Sequence, residues 1–327
     1  MQNKNQVLLA RNAMATRFEL ILLGDDEKYL RAAGEEALNE IERIESRISP
    51  FKPESEISLI NQNAAIQPVR VSIEVFNLLK IAKELWQNTE GAFDITVGPL
   101  MKLWGFRGNT TNTPSPESIK KIKQICGMNL VELDDENFTV KFLKDGVKID
   151  LGAIGKGYAI DKAIIVLKEA GITSAFMHGG TSSAAAIGIS QNSELWKISV
   201  EIPSFLDINV SGAIALVELF NSSFSVSAIW GRTGKTENEI FGHIIDPETG
   251  YPVKNCILAA TRTKSATYAD ALSTAILVSG KKICKSILNK YPDLNYLYIV
   301  KSTDNTPIIY SYGIEPVEEV RIFYQKE

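Results

Sequence analysis

The sequence predicts an α+β fold: a single domain over residues 1–327, with a mixed, mostly antiparallel sheet flanked by helices. Strand-like and helix-like segments are interspersed without the regular βα alternation of a doubly wound sheet. No internal repeat, low-complexity tract or linker marks a boundary in the 327 residues, which are enough to bury a large core.

In chain order, an early strand is expected over residues 15–23, followed by a helix over 27–48. There Leu30, Ala33, Ala37, Ile41, Ile44 and Ile48 recur at helical spacing, and Pro50 and Pro53 end the run. Residues 55–61 form a short capped helix, 69–71 a brief strand, and 73–90 a second amphipathic helix ending at Gly91. Residues 91–106 are apolar but broken by Asp94, Gly98 and Pro99, poor material for a plain helix or strand; such a segment lines something. A polar loop covers 107–114, and a helix over 116–126 starts with Ser115 as N-cap and Pro116 at its first position. Residues 134–148 read as a hairpin turning at Lys144-Asp-Gly. Further strands are expected at 174–177, 184–189, 196–201, 213–219, 224–227 and 257–263, with a polar loop over 229–241. Helices follow at 266–279 and 281–290, and the strand-rich tail over 292–327 has segments at 294–300, 307–312 and 320–325.

A net charge of −4 argues against nucleic acid as a partner, and no apolar run reaches the length of a membrane span. Three scattered cysteines and two histidines argue against a disulfide framework, a zinc site or a metal cluster. The first ten residues lack the pattern of a signal peptide or lipid-bearing cysteine. The expected location is therefore cytoplasmic, or periplasmic or membrane-associated if a leader has been removed.

The stretch Lys148-Ile-Asp-Leu-Gly-Ala-Ile-Gly-Lys-Gly-Tyr-Ala-Ile-Asp161 reads as a strand, a glycine-rich turn and a helix over 156–170. Gly152, Gly155 and Gly157 permit positive φ and close approach to a bulky ligand. The free amides and positive dipole end of the helix, with Lys156 beside them, suit a phosphate or pyrophosphate. The spacing matches neither a Rossmann fingerprint nor a P-loop, and tight packing alone would also explain it. On the helix over 266–279, Asp270 and Thr274 lie one turn apart on an otherwise apolar surface. Two oxygen ligands there suit Mg²⁺; the competing reading has Thr274 bonding back to the Asp270 carbonyl and Asp270 paired with a lysine. His243, near Asp246 and Pro247, has the chemistry of a general base or an orienting donor, and equally of a structural turn residue. Phe51, Phe93 and Trp104 have the shape to stack on a flat ring, or to fill core.

Taken together these motifs resemble the bacterial ApbE-type flavin transferases, over residues 14–280. The resemblance runs in family order through Met14-Ala-Thr-Arg-Phe, Phe51-Lys-Pro-Glu-Ser-Glu-Ile-Ser-Leu-Ile-Asn61, Gly91-Ala-Phe-Asp-Ile-Thr-Val-Gly-Pro-Leu and Leu103-Trp-Gly-Phe. It continues through Asp150-Leu-Gly-Ala-Ile-Gly-Lys-Gly-Tyr-Ala-Ile-Asp161, His243-Ile-Ile-Asp-Pro-Glu-Thr-Gly and Ala269-Asp-Ala-Leu-Ser-Thr274. It implies an FAD cleft between sheet and loops, with Mg²⁺ on the pyrophosphate. FMN would pass from FAD to a threonine or serine hydroxyl of an acceptor flavoprotein, releasing AMP. Carried across, Met14, Phe51, Ala92, Phe93, Asp94, Asp150, Lys156 and Ile244 would hold FAD. Ala153 through its carbonyl, Asp270, Ser273 and Thr274 would hold the metal. Catalysis would fall to His243, Lys156 and Asp270, the proton going to His243 or to a carboxylate near the metal. The chain departs from the pattern at Gly179-Gly180-Thr181, where an acidic residue usually follows the glycines, and at Ser227-Ala228-Ile229, where Thr-Ser-Gly is usual. The same site with water as acceptor would make an FAD pyrophosphatase, and without catalysis a flavin-binding protein.

Overall fold

The computed structural model describes residues 5–107, 113–191, 194–203, 212–231, 233–235, 240–302, 306–318, 320 and 324–326. The chain opens with β1 (Asn5–Ala13), β2 (Thr16–Gly24), α1 (Glu27–Ile48), α2 (Glu56–Asn63), β3 (Val69–Arg70) and α3 (Ile73–Asn88). It continues through α4 (Gly98–Leu103), α5 (Pro116–Lys123), β4 (Val131–Asp134), β5 (Thr139–Phe142) and α6 (Gly155–Glu169). The middle holds β6 (Ala175–Gly179), β7 (Ser183–Ile187), β8 (Trp196–Ile202), β9 (Gly212–Leu219), β10 (Ser223–Ala228), β11 (Thr233–Lys235) and β12 (Ile240–Gly242). Last come β13 (Cys256–Thr263), α7 (Ala266–Ser279), α8 (Lys281–Lys290), β14 (Asn295–Lys301), β15 (Pro307–Tyr312) and β16 (Tyr324–Lys326).

The architecture is α+β, built on a nine-stranded sheet in the order β1-β2-β6-β7-β10-β13-β14-β15-β16. Its pairings are antiparallel except β15 with β16. One face carries helices, with α1 against β1 and β2, α6 against β6 and β7, and α7 against β10 and β13. The apolar stripe of α1 meets Phe18, Leu20 and Leu22 of β2 in this core, and the Asp26 side chain caps the helix. The β8–β9 hairpin covers part of the opposite face, where Val200, Ile202, Ile214 and Val217 cluster with Leu258, Leu297 and Ile299. β13 is thus buried on both sides, which accounts for its unbroken apolar run.

Two helix contacts position the site. At Gly157 a β-carbon would collide with the Ala266 carbonyl oxygen, so the missing side chain lets α6 and α7 touch. The Asp161 carboxylate of α6 then caps α7, accepting from the Ala266 N–H at 2.7 Å, the Thr267 N–H at 2.9 Å and the Ser265 hydroxyl at 2.6 Å.

Several expectations are corrected. β1 is an additional strand, paired along its length with β2. The hairpin near 134–148 is β4–β5, and it turns at 135–138, where Asp134 Oδ1 accepts the N–H groups of Glu136 and Asn137. Lys144-Asp-Gly lies beyond β5. Residues 148–151 form no strand; the Asp150 N–H donates to Ile95 O at 2.7 Å. Inside 91–106, α4 forms with Pro99 at its start, and inside 229–241, β11 and β12 pair antiparallel. Gly152, Gly155 and Gly157 do not take positive φ. The latter two serve close packing, Gly155 against Ile48 and Gly157 against α7.

Candidate active site

A cavity of about 1170 Å³ opens where the 151–154 turn, the start of α6, one side of α7, the β1–β2 turn, the 92–97 segment and the His243 motif converge. Met14, Phe51, Ala92, Phe93, Asp94, Asp150, Ala153, Lys156, His243, Ile244, Asp270 and Thr274 all line it. Ser273 does not. It is fully buried, and its hydroxyl donates to the Asp270 carbonyl at 2.9 Å and meets the Ser227 hydroxyl at 2.8 Å.

Met14 and Ala15 form the two-residue turn of the β1–β2 hairpin at φ 51° and 57°, the handedness a type I′ turn requires. The Met14 N–H donates to Glu45 Oε1 at 2.7 Å, which fixes this strained tip against α1. Of the three aromatics with the shape to stack on a ring, Phe51 is 72% exposed. Phe93 is buried, and Trp104 is core, its indole N–H donating to Gly250 O at 2.9 Å. His243 packs beside Phe106, with ring centroids 6.4 Å apart.

The glycine turn differs from its expected anion cradle. The Gly155 N–H donates to Leu151 O at 2.8 Å and the Gly157 N–H to Asp270 Oδ2 at 3.1 Å. Two of the first amides of α6 are therefore engaged. Attraction for an anion rests on the Lys156 ammonium and the helix dipole.

Asp270 is 4% exposed. Among the described residues, its Oδ2 takes the Gly157 N–H, while Oδ1 meets only the hydroxyls of Ser225 at 3.3 Å and Ser183 at 3.5 Å. The Ser225 hydroxyl also donates to the Ser182 carbonyl at 2.9 Å, a better partner. A buried carboxylate oxygen with only long contacts retains lone-pair capacity. Thr274 Oγ1 reaches the Asp270 carbonyl at 3.4 Å and the Ser227 hydroxyl at 3.1 Å, so the back-bond anticipated for Thr274 is present. The lysine partner anticipated for Asp270 is replaced by a backbone amide and serines.

Asp94 sits against Thr96, whose N–H and hydroxyl both donate to Oδ1, at 2.7 and 2.6 Å. Burial nonetheless pushes its carboxyl up to about 6, because desolvation outweighs those bonds. Asp150 accepts the Gly152 N–H at 3.0 Å and is ion-paired with Arg107. Arg107, Glu45 and His178, which belong to none of the site residues expected from the motifs, also line the cavity. His178 Nδ1 lies 2.9 Å from Gly180 O, and Nε2 lies 3.3 Å from Glu19 Oε2. The register that pairs Glu19 with His178 across β2 and β6 is the signal that would have found this contact.

The family model of the ApbE family matches residues 14–298. The FAD:protein FMN transferase of Haemophilus influenzae is 28% identical over 93% of this chain and 89% of its own length. That of Vibrio cholerae is 27% identical over 84% of this chain and 81% of its own. Among solved structures, the ApbE protein of Thermotoga maritima superposes with a TM-score of 0.82 at 30% identity, covering 98% of this chain and all of that one. The flavin transferase ApbE of Vibrio cholerae gives 0.79 at 26% identity, covering 98% of this chain and 99% of that one. With matched motifs, fold and coverage in agreement, the chain belongs to the ApbE family.

Proposed function

We propose that this protein transfers FMN from FAD to a threonine or serine hydroxyl of an acceptor flavoprotein, with Mg²⁺, and releases AMP. The relatives' names supply FAD and a protein acceptor. The observation that carries the reading is that Lys156, Asp270 and Thr274 line one cavity, α6 being tied to α7 there by the Gly157–Asp270 bond.

The donors present fit a hard cation. Asp270 Oδ1, Thr274 Oγ1 and the Ala153 carbonyl are all oxygens, and Oδ1 has the under-used lone pairs described above. Ser273 would support them from behind by holding the Asp270 carbonyl. When bound, Mg²⁺ would supply charge neutralisation at the pyrophosphate.

The residues of the chain do the rest. Lys156 and the positive end of α6 hold the pyrophosphate and favour departure of the AMP phosphate. Met14, Phe51, Ala92, Phe93 and Ile244 form the apolar walls for the rings. Asp94 and Asp150 accept hydrogen bonds from the ligand's N–H or hydroxyl groups. The acceptor oxygen forms a bond to the FMN phosphorus as the bond from that phosphorus to the bridging oxygen breaks. The hydroxyl proton passes to His243, and the bridging oxygen leaves on AMP.

The test is incubation with FAD and Mg²⁺, with and without a flavoprotein carrying an acceptor threonine. Flavin fluorescence that stays on the denatured acceptor, with stoichiometric AMP, is the expected result. Free FMN and AMP with an unlabelled acceptor would make the protein a pyrophosphatase, and unchanged FAD a binder.

A further inference from the structure

Arg107 follows α4 and reaches two parts of the cavity wall distant from it in sequence. Its guanidinium carbon lies 4.7 Å from the centroid of the Phe51 ring, in the connection between α1 and α2. It is also ion-paired with the carboxylate of Asp150, ahead of α6. The Arg107 side chain is 18% exposed, whereas Phe51 is 72% exposed. An exposed aromatic ring is thus held against a mostly covered planar cation.

We propose that Arg107 is a positioning and specificity-determining residue for the flat ring of the bound dinucleotide; this rests on the FAD reading above. Charge separates two roles a cavity arginine can have. An arginine that anchors phosphate needs its charge uncompensated, but here Asp150, only 9% exposed, neutralises it at close range. Lys156, on the glycine turn, is the cation placed for phosphate. What Arg107 retains is its plane: a carboxylate binds the N–H edge of a guanidinium, leaving its faces for aromatic rings. The guanidinium carbon already lies over the Phe51 ring, 4.7 Å from its centroid. A heteroaromatic ring entering beside Phe51 meets a stack already begun, with Asp150 fixing its orientation. Isoalloxazine and purine share this chemistry, and separate ligands distinguish them.

The experiment titrates the full chain in Mg²⁺ with FAD, FMN and ADP, comparing wild type with Arg107→Ala and Arg107→Lys. Binding of FAD to the wild type is established first; its absence would remove the FAD reading and the role of Arg107 with it, whereas a variant that binds like wild type removes the role of Arg107 alone. Both variants should bind FAD about tenfold more weakly, with turnover at saturating FAD nearly unchanged. Lysine should not rescue, because it restores the charge opposite Asp150 without the plane. A parallel loss for FMN assigns the isoalloxazine, and for ADP the purine. Thermal unfolding of the lysine variant near that of wild type shows that its fold is retained. Wild-type affinity in either variant, or a loss confined to FAD with both fragments unaffected, overturns the proposal.

Discussion

The backbone N–H of Gly157, in the first turn of α6, donates to Oδ2 of Asp270 on α7 at 3.1 Å. This one bond joins the two halves of the candidate site, the glycine turn with its lysine and the helix with the metal-type oxygens. It exists because Gly157 has no side chain, which lets the helices approach within backbone contact.

Asp270→Asn retains an oxygen for the Gly157 N–H, so folding should be preserved. Turnover should nonetheless fall by about 100-fold or more, and FAD affinity should lose its dependence on Mg²⁺. Asp270→Ala should add a stability loss of about 1–3 kcal/mol, because it leaves a buried N–H without a partner. Full activity in the asparagine variant would remove the metal role.

Gly157→Ala should destabilise by about 3 kcal/mol, since the new methyl group drives α7 away from α6. Urea unfolding measures the cost. Equal stability would mean that the helices can part without penalty.

Lys156→Met should weaken FAD binding by about 10-fold or more while leaving the melting temperature close to wild type. Unchanged affinity would return the turn to plain packing.

Asp94 carries a pH signature. Burial raises its carboxyl from 3.8 to about 6 in the folded protein, so the folded state holds the proton more tightly than the unfolded chain. Its contribution is therefore fully present below the unfolded value and is lost as pH rises through about 6. The loss is at most about 3 kcal/mol. Asp94→Asn should flatten this slope, giving a variant that gains on wild type between pH 4.5 and 7 in urea titrations. Identical pH dependence in the two proteins would contradict the burial effect.

What the sequence made legible follows from period and from turn chemistry. α1, α3, α6 and α7 carry either a clear apolar stripe or a defined start, and the motifs that converge on the cavity could be recognised one by one. β1 escaped because it is an edge strand whose outward positions include the apolar Leu8 and Ala10, so the alternation of the buried Val7 and Leu9 with exposed residues is not visible as an apolar–polar pattern. The β4–β5 turn was misplaced because Asp134 bonds its own backbone two and three residues on, a stronger local constraint than the glycine of Lys144-Asp-Gly. Arg107 was not legible at all: its partners Phe51 and Asp150 are remote in sequence, and only the folded chain brings a polar-loop arginine onto an aromatic ring. None of Gly152, Gly155 and Gly157 takes positive φ; Gly155 and Gly157 serve close packing instead, against Ile48 and against α7.

In the proposed function the phosphates of a bound dinucleotide lie between Lys156 at the glycine turn and a divalent cation on α7. A crystal grown with FAD and Mn²⁺ in place of Mg²⁺ tests it most directly, through the anomalous signal of manganese. A peak is expected within coordination distance of Asp270 Oδ1, Thr274 Oγ1 and the Ala153 carbonyl, with the FAD phosphates between it and Lys156. A bound FAD whose phosphates lie away from Lys156, with no manganese at Asp270, would contradict it.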